Sequence, residues 1–302
     1  TALEAFCLAE GLPYEQCGKL VAAVGEGELP ALERLLHRAH QNGLAETQWV
    51  DAEAARQREP YLACSAALHV PYTGIADYSA ITQRLATRTT EGPSGSKLLL
   101  GHAVRGLSKT AQGYTLHTNH GPLHARYIIS AAGLQSDRLA RQDGLQPQAR
   151  IIPFRGDYYE LTEAARHKVR HLIYPVPDPD FPFLGVHFTR MVDGSVECGP
   201  NAVFAFRREG YGRTSFSLPD AVAALGYAGT LRFFARHWRI GLGEYRRAWS
   251  KRRFLATLQR LIPELGMADI RPARAGVRAM ALAPDGTLVD DFAFAETERS
   301  LH

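Results

Sequence analysis

The stretch that decides the fold is residues 153–203, which read PFRGDYYELTEAARHKVRHLIYPVPDPDFPFLGVHFTRMVDGSVECGPNAV. Four apolar, β-rich runs in it are separated by proline and glycine; these runs are residues 157–161, 171–176, 183–189 and 195–198. Proline cannot donate to a sheet ladder and glycine weakens a strand interior, so both residues mark the places where strands end. The alternation therefore predicts short strands of an antiparallel sheet.

Polar side chains that can bind or deprotonate a small anion are set into the same stretch. They are Arg155, His187, Arg190 and Asn201. Arginine pairs with carboxylates, imidazole accepts protons, and an amide both donates and accepts hydrogen bonds. Rigid strands hold such groups precisely, so the stretch predicts the wall of a substrate pocket.

Composition indicates an ordinary globular protein. Charged residues are 22% of the 302 and hydrophobic ones 45%, while 35 basic against 31 acidic residues give a net charge of +4. That excess is too small to indicate nucleic-acid binding by itself. The four cysteines form no C-x-x-C pair and are expected to be free thiols in a reducing compartment. No apolar run reaches the roughly 18 residues that span a bilayer, so we expect a soluble, cytoplasmic protein.

The rest of the chain alternates helical and β-like segments. Predicted helices cover residues 1–11, 29–41, 51–58 and 77–90, and residues 219–261 are mostly helical with interruptions near 226–229 and 241–243. Predicted strands lie at residues 18–24 and 68–70, at several places in 97–132, and at 274–282 and 287–295. This order predicts a mixed α/β (α+β) fold.

Three further patterns carry weaker signals. IISAAG (128–133) predicts a strand, a tight turn and a helix, where glycine lets a backbone approach an anionic cofactor. GEGELP (25–30) starts like a phosphate-binding turn but ends in proline and carries acidic side chains, so we reject it. His117, His120 and His124 straddle a hairpin turn without a Cys or carboxylate to complete a metal site, and we predict no metal there.

Motifs along the whole chain, taken together, resemble one family. They are GKL (18–20), PYTGI (71–75), PFRG (153–156), HLIYPVP (171–177), FLGVHFTR (183–190), DGSV (193–196), GPNAV (199–203), FRREGY (206–211), AGVRA (275–279), PDG (284–286) and DDF (290–292). This set is similar to the FAD-dependent L-2-hydroxyglutarate dehydrogenases (also called oxidases), a branch of the glycine-oxidase and D-amino-acid-oxidase-like flavoenzymes.

The resemblance implies an FAD-dependent oxidation of L-2-hydroxyglutarate to 2-oxoglutarate. The flavin would take the C2 hydride, and an external acceptor, with membrane quinone as a candidate, would reoxidise it. Ala132 and Gly133 would contact FAD. Arg278, in the Gly-x-Arg motif, would clamp one substrate carboxylate.

Other site roles stay open at the sequence level. A five-carbon diacid needs a second cationic anchor, for which Arg155 and Arg190 are candidates, although either can equally be structural. His187 is a candidate for the general base, but a strand histidine is often structural, and the family also has a histidine in a segment preceding this part of the enzyme. Asn201 can hold the substrate or make a turn.

The resemblance also implies a domain organisation. Residues 1–17, 76–148 and 273–302 would belong to an incomplete FAD/NAD(P)-binding, Rossmann-like domain. Residues 18–75 and 149–272 would form the antiparallel-sheet substrate domain. The family's G-x-G-x-x-G turn and its C-terminal flavin-contacting segment are absent from the sequence, so we expect an internal fragment of the full enzyme.

The sequence also allows two alternative functions and one candidate surface for membrane contact. The pocket could serve an amine or amino-acid oxidase of the same superfamily, or the chain could be a catalytically incompetent piece that at most binds a dicarboxylate. Residues 232–253 hold eight Lys/Arg against one Glu, interleaved with aromatic residues. Such a segment can rest on anionic lipid as a peripheral contact, or it can be a solvated face over a hydrophobic core.

Overall fold

The computed structural model describes residues 1–92, 95–178 and 183–302. Within these residues the α-helices are α1 Ala2–Ala9, α2 Leu29–Gln41, α3 Ala52–Arg58, α4 Tyr78–Glu91, α5 Ser136–Gln142, α6 Leu218–Leu225, α7 Ala228–Ala248 and α8 Lys251–Leu258. The strands up to the start of the 153–203 stretch are β1 Tyr14–Glu15, β2 Lys19–Ala23, β3 Gln48–Asp51, β4 Ala66–Val70, β5 Ile75–Ala76, β6 Val104–Thr110, β7 Gly113–Thr118, β8 Gly121–Ala125, β9 Ile128–Ile129 and β10 Arg150–Gly156. The later strands are β11 Tyr159–Leu161, β12 Leu172–Pro175, β13 His187–Arg190, β14 Val196–Gly199, β15 Val203–Phe204, β16 Ile270–Pro272, β17 Gly276–Leu282, β18 Glu296–Thr297 and β19 Ser300–Leu301.

Helix starts follow local capping chemistry. The Asp51 carboxylate accepts a hydrogen bond from Ala54 N at 2.8 Å, and the Asp77 carboxylate does the same for Ala80 N at 2.9 Å. Each bond satisfies a backbone N–H that has no partner inside the helix. The start of α4 after Asp77 therefore agrees with the helix predicted for residues 77–90.

The chain divides into two compact units. The first unit comprises Thr1–Lys97, Gly156–Ala202 and Leu242–Arg274, and the second comprises Leu98–Arg155, Val203–Gly241 and Ala275–His302. Residues 1–17 and 76–97 thus group with the first unit. The predicted division into cofactor and substrate domains is a statement about function, and it stays a prediction.

An eight-stranded sheet forms the frame of the first unit. Its strand order is β16-β11-β14-β13-β12-β2-β4-β3. Neighbours are antiparallel except for β12 and β2, which run parallel. The sheet contains the four strands expected in the 153–203 stretch, and the parallel pair is a feature that the sequence pattern did not indicate.

One face of this sheet carries apolar side chains that are buried. Ile173, Phe188 and Cys198 lie on it and are fully buried, in one cluster with Phe254 and Leu258 of α8. Burying a large apolar side chain stabilises a fold by about 1.5–3 kcal/mol. This face therefore supplies much of the stability of the unit.

The other face divides into an apolar part and a polar part. Ala23 and Leu68 pack against Leu32 of α2, which has no exposed surface. Beside them on the same face stand Lys19 and His187, because side chains alternate along a strand. The polar part contains His187, one of the candidate site residues.

The second unit contains three small sheets. Their orders are β15-β10-β17, β18-β19-β9 and β6-β7-β8. Phe154 of β10 packs edge-on against Phe204 and Phe233, with ring centroids 6.3 and 5.6 Å apart, and all three rings are buried. Strands β9 and β19 are parallel, as in a nucleotide-binding sheet.

A buried carboxylate ties distant segments of the second unit together. The Asp143 carboxylate accepts hydrogen bonds from Tyr114 Oη, Ser300 Oγ and His302 Nε2. Burial by itself raises the pKa of Asp143, but the Ser300, His302, Tyr114 and Lys109 donors hold that pKa below its usual value. The network thereby attaches the β18–β19 hairpin to helix α5.

Two local predictions were wrong. Residues 287–295 are not a strand, since only Leu288 forms an isolated bridge, to Leu282, while Phe292 and Phe294 are 88% and 73% exposed. The glycines at 241 and 243 do not interrupt helix α7, whose backbone leaves helical values at His237 instead (φ −115°, ψ 18°). Each glycine costs a helix only about 1 kcal/mol, so the surrounding structure overrides it.

Candidate functional site

His187, the candidate base, begins strand β13 on the polar face of the first unit. It is 7% exposed, and its Nδ1 lies 2.8 Å from Gly185 O. A carbonyl oxygen can only accept, so Nδ1 is the protonated nitrogen and donates this bond. In the neutral ring the lone pair is then on Nε2. The hydrogen bond to Gly185 O thus fixes the tautomer of the neutral His187 ring.

Tyr174 stands beside His187 on the neighbouring strand. The two rings stack with centroids 4.1 Å apart and an interplanar angle of 15°. On the strand at the other side of Tyr174, the Lys19 ammonium lies over the phenol ring, 5.2 Å from its centroid. Cation–π contact of this kind holds an ammonium in place without neutralising it. Lys19, Tyr174 and His187 form what we call the stacked triad.

Lys19 is partly buried, and burial lowers the pKa of its ammonium below the ordinary value. Within the described part of the chain, Lys19 Nζ makes no hydrogen bond and no ion pair. Sequence reasoning missed both Lys19 and Tyr174. Alternation in the predicted 18–24 strand does put Lys19 on one face with Val21 and Ala23, but it cannot show which strand lies alongside.

Arg190 does not join the stacked triad. It lies three residues after His187 in the same strand, so its side chain projects from the opposite face of the sheet. Its guanidinium pairs with the Glu15 carboxylate. Burial raises the pKa of the neighbouring Cys17 thiol, although Arg190 opposes that shift. These contacts favour the structural alternative for Arg190.

Asn201 is buried in the first unit and bonded to one residue. Its Oδ1 accepts from Asp157 N at 2.6 Å, and its Nδ2 donates to Asp157 Oδ2 at 3.3 Å. An amide engaged at both ends holds the chain around it rather than a ligand. The geometry favours the turn-forming alternative.

Arg155 belongs to the second unit and lies on β10. It is 5% exposed, and its Nη1 donates to Gly212 O at 2.9 Å. Arg208 of the same unit is likewise buried, in a pair with the Asp137 carboxylate, whose pKa burial raises and Arg208 lowers to a net value below normal. Both arginines therefore have partners inside the fold.

Arg278 contrasts with these two arginines. It lies on β17, is partly buried, and has no hydrogen bond or ion pair to any described residue. An unpaired guanidinium that is partly removed from water is a strong site for a carboxylate, which it can bind bidentately.

The segment with the predicted cofactor contacts lies against β17 in the same unit. Strand β17 contacts the 3₁₀ helix Gly133–Gln135 that follows Ala132. Gly133 has φ +53°, and a Cβ built on it would meet nothing within 4 Å. Ser130 Oγ is buried and has no partner among the described residues. Open space over a left-handed glycine and an unsatisfied hydroxyl suit the close approach of a polar cofactor.

The described residues contain no group of three or more His, Cys, Asp or Glu side chains placed to hold a metal ion. Among the helices of residues 1–92, 95–178 and 183–302, none combines the length and apolarity needed to cross a bilayer.

Comparison with known proteins places these features in a family. The chain is 42% identical over all its 302 residues, and over 71% of the relative, to a protein named L-2-hydroxyglutarate dehydrogenase from Escherichia coli O17:K52:H18 (strain UMN026 / ExPEC). It is 40% identical to the protein of that name from Indibacter alkaliphilus, over 98% of this chain and 74% of the relative.

Solved structures share the fold at low sequence identity. Glycine oxidase from Geobacillus kaustophilus matches with a TM-score of 0.68 and 17% identity, over 99% of this chain and 69% of that one. The dithionite-reduced L-α-glycerophosphate oxidase from Mycoplasma pneumoniae, with FAD bound, matches with a TM-score of 0.67 and 20% identity, over 89% of this chain and 63% of that one. The family model described as DAO, FAD dependent oxidoreductase, matches residues 2–300, and the chain belongs to that family.

Proposed function

We propose that this protein oxidises L-2-hydroxyglutarate to 2-oxoglutarate in an FAD-dependent reaction. The observation that carries the proposal is about 40% identity, over essentially the whole chain, to relatives named L-2-hydroxyglutarate dehydrogenase. Arg278, to which no described residue is paired, His187 and the open turn at Gly133 are each of a residue type that this chemistry uses. Amino-acid oxidases and deaminases also share the fold, but at 13–17% identity that likeness concerns the fold alone.

The segment around Gly133 suits FAD. Ala132 and Gly133 would hold it through the backbone, with the Ser130 hydroxyl available for a hydrogen bond. When bound, FAD supplies the oxidant that accepts the C2 hydride and its two electrons. The chain itself supplies position, charge and a base.

Arg278 would bind and orient the C1 carboxylate. A bidentate pair fixes the plane of the carboxylate and thereby the direction of the neighbouring C2–H bond. No described residue competes for the Arg278 guanidinium.

His187 would accept the hydroxyl proton at Nε2. As the C2–H electron pair leaves as hydride, the O–H bond breaks, its electrons form the C2=O double bond, and the proton passes to the imidazole. The hydrogen bond from Nδ1 to Gly185 O and the stack on Tyr174 hold the ring in place for this step.

Arg155, Arg190 and Asn201 remain weaker proposals for substrate contact. Each has a partner within the fold: Gly212 O for Arg155, Glu15 for Arg190 and Asp157 for Asn201. A role in binding would require the substrate to compete with these contacts.

The test of the function is turnover by the FAD-loaded protein, with Arg278→Ala as the variant. We expect reduction of a dye acceptor with L-2-hydroxyglutarate, and a loss of about 10²–10³-fold in kcat/KM in the variant, because a charge-assisted contact to the substrate disappears. Arg274→Ala, at an exposed arginine nearby in sequence, is the matched control.

Assays with glycine, sarcosine and D-amino acids in place of L-2-hydroxyglutarate test the amino-acid oxidase alternative. Turnover of these amines without oxidation of the hydroxy acid would overturn the proposal. Failure to retain FAD would favour the catalytically incompetent alternative. Unchanged kcat/KM in Arg278→Ala would remove Arg278 from the site.

We also propose that the external electron acceptor is membrane quinone and that residues 232–253 rest on anionic lipid. Trp238 and Trp249 are 59% and 60% exposed among the basic residues of this segment. Exposed tryptophan and arginine are typical of helices that lie on a membrane surface. Flotation with phosphatidylserine vesicles should show binding. Salt at roughly 0.5 M should abolish it by screening the attraction between the basic residues and the anionic lipid. Absence of salt-sensitive binding would overturn the membrane contact.

A further inference from the structure

The proposed substrate has two carboxylates, and Arg278, to which no described residue is paired, is assigned to one of them. The candidates for the second carboxylate were Arg155 and Arg190. Arg155 is buried against Gly212 O, and Arg190 pairs with Glu15 on the other face of the sheet from His187. The second anchor is therefore to be sought on the polar face itself.

Lys19 has the properties of such an anchor. It stands on the same face as His187, on the far side of the Tyr174 ring, and no described residue pairs with its ammonium. Desolvating an ammonium without giving it a counter-charge is unfavourable, and burial lowers the Lys19 pKa accordingly. A purely structural lysine would gain by snorkelling to water or by pairing with an acid. The arrangement is the one expected where a ligand supplies the missing negative charge.

We propose that Lys19 binds the distal carboxylate of a dicarboxylic 2-hydroxy acid while His187 faces its hydroxyl, and that Lys19 thereby selects diacids over monoacids. The inference rests on the proposed function for the identity of the substrate. The stacked triad carries it, because the Tyr174 ring contacts both the cation and the imidazole.

Selectivity follows from the difference between the two kinds of acid. A monoacid would bring an apolar methyl end to a partly buried ammonium, whereas a diacid would bring the negative charge that no described residue supplies to it. A site with a buried polar group rejects an analogue that leaves this group unpaired more strongly than an apolar pocket rejects a missing methylene.

The test compares two five-carbon probes, glutarate and pentanoate, in calorimetric titrations of the FAD-loaded protein. The variants are Lys19→Met, which keeps the length of the side chain without its charge, and Lys19→Arg, which keeps the charge. Lys97→Met, at an exposed lysine of the same unit, is the control. We expect Lys19→Met to weaken glutarate binding about 10- to 100-fold and leave pentanoate unchanged, with Lys19→Arg restoring most of the loss.

Folding is checked independently of binding. Because the folded protein disfavours the charged form of Lys19, Lys19→Met should melt at the same temperature as the unmodified protein or higher. In turnover assays the variant should raise KM for L-2-hydroxyglutarate while kcat stays within a few-fold, and should leave L-2-hydroxypentanoate unaffected.

Three results would overturn the inference: equal loss of both probes in Lys19→Met, no loss of either, or a fall in kcat on both acids, which would make Lys19 a participant in proton transfer. The proposed function can fail separately. If the protein does not oxidise L-2-hydroxyglutarate but Lys19→Met still loses its preference for glutarate, the dicarboxylate site stands and the reaction is another one.

Discussion

The two faces of the eight-stranded sheet use adjacent residues for opposite purposes. Phe188 has no exposed surface and lies in the apolar cluster with Phe254 of α8, whereas the preceding residue, His187, joins Lys19 and Tyr174 on the other face. One face stabilises the unit, and the other holds a cation to which no described residue supplies a counter-charge. The packed face holds the strand rigid, so the side chains of the polar face are positioned by a strand and not by loops.

A substitution in the apolar cluster on one face of the sheet should have the largest effect, and this effect is on stability. Phe188→Ala removes a fully buried ring from a close-packed cluster and should lower the free energy of unfolding by about 3–5 kcal/mol. Urea denaturation followed by circular dichroism measures this loss. The matched control is Thr189→Ala, on the polar face of the same strand, which should change stability by less than about 1 kcal/mol. Equal effects of the two substitutions would mean that the faces do not differ as described.

Breaking the polar face should affect catalysis instead of folding. His187→Asn retains a donor for Gly185 O but removes Nε2, so kcat should fall about 100-fold, which corresponds to about 2.7 kcal/mol in the barrier. Dye reduction with saturating L-2-hydroxyglutarate measures kcat. His37→Asn, at an exposed position on α2, is the control and should leave kcat unchanged. A full kcat in His187→Asn would assign the base elsewhere.

Glu197, on the polar face, should make a small pH-dependent contribution to stability. Glu197 is paired across the strands with Glu160, and burial, Glu160 and Asp193 together raise the pKa of Glu197. A folded-state pKa above the unfolded value means that Glu197 favours folding when protonated and that this contribution is lost as pH rises. Glu197→Gln should therefore raise stability at pH 7 by about 0.5 kcal/mol, and by nothing measurable near pH 4.

Glu160→Gln is the control, because it should change stability at pH 7 in the opposite direction to Glu197→Gln. Burial by itself raises the pKa of Glu160, but Arg271 and Arg166 hold that pKa below its usual value. Its stabilising contribution is therefore present above the unfolded pKa and lost as pH falls, so Glu160→Gln should lower stability at pH 7. Urea denaturation at the two pH values measures both variants. The same sign for both at pH 7 would contradict the assignment.

Local pattern was enough to predict much of the fold. The proline and glycine residues of the 153–203 stretch marked strands that the structure contains, and the helices predicted for residues 51–58 and 77–90 are present as α3 and α4. The 287–295 prediction failed because alternating Phe292 and Phe294 resemble a strand, whereas a strand also requires a partner that sequence spacing does not reveal.

The candidate site was harder to predict for a different reason. Arginine and histidine could be singled out by residue type, but their partners lie far away in sequence: Glu15 pairs with Arg190, and Lys19 and His187 meet around Tyr174. Strand alternation tells which residues share a face of one strand, yet strand order decides which faces meet. That order includes the unpredicted parallel pair of β2 and β12 that brings Lys19 to Tyr174.

The Tyr174 ring also links the proposed base to the proposed cation. Its centroid is 4.1 Å from the imidazole of His187 and 5.2 Å from the ammonium of Lys19, on strands to either side. The spacing of these strands is set by their backbone pairing, so a substitution at Tyr174 changes the contacts of both groups and not the distance between their strands. Replacing Tyr174 is therefore expected to disturb His187 and Lys19 together.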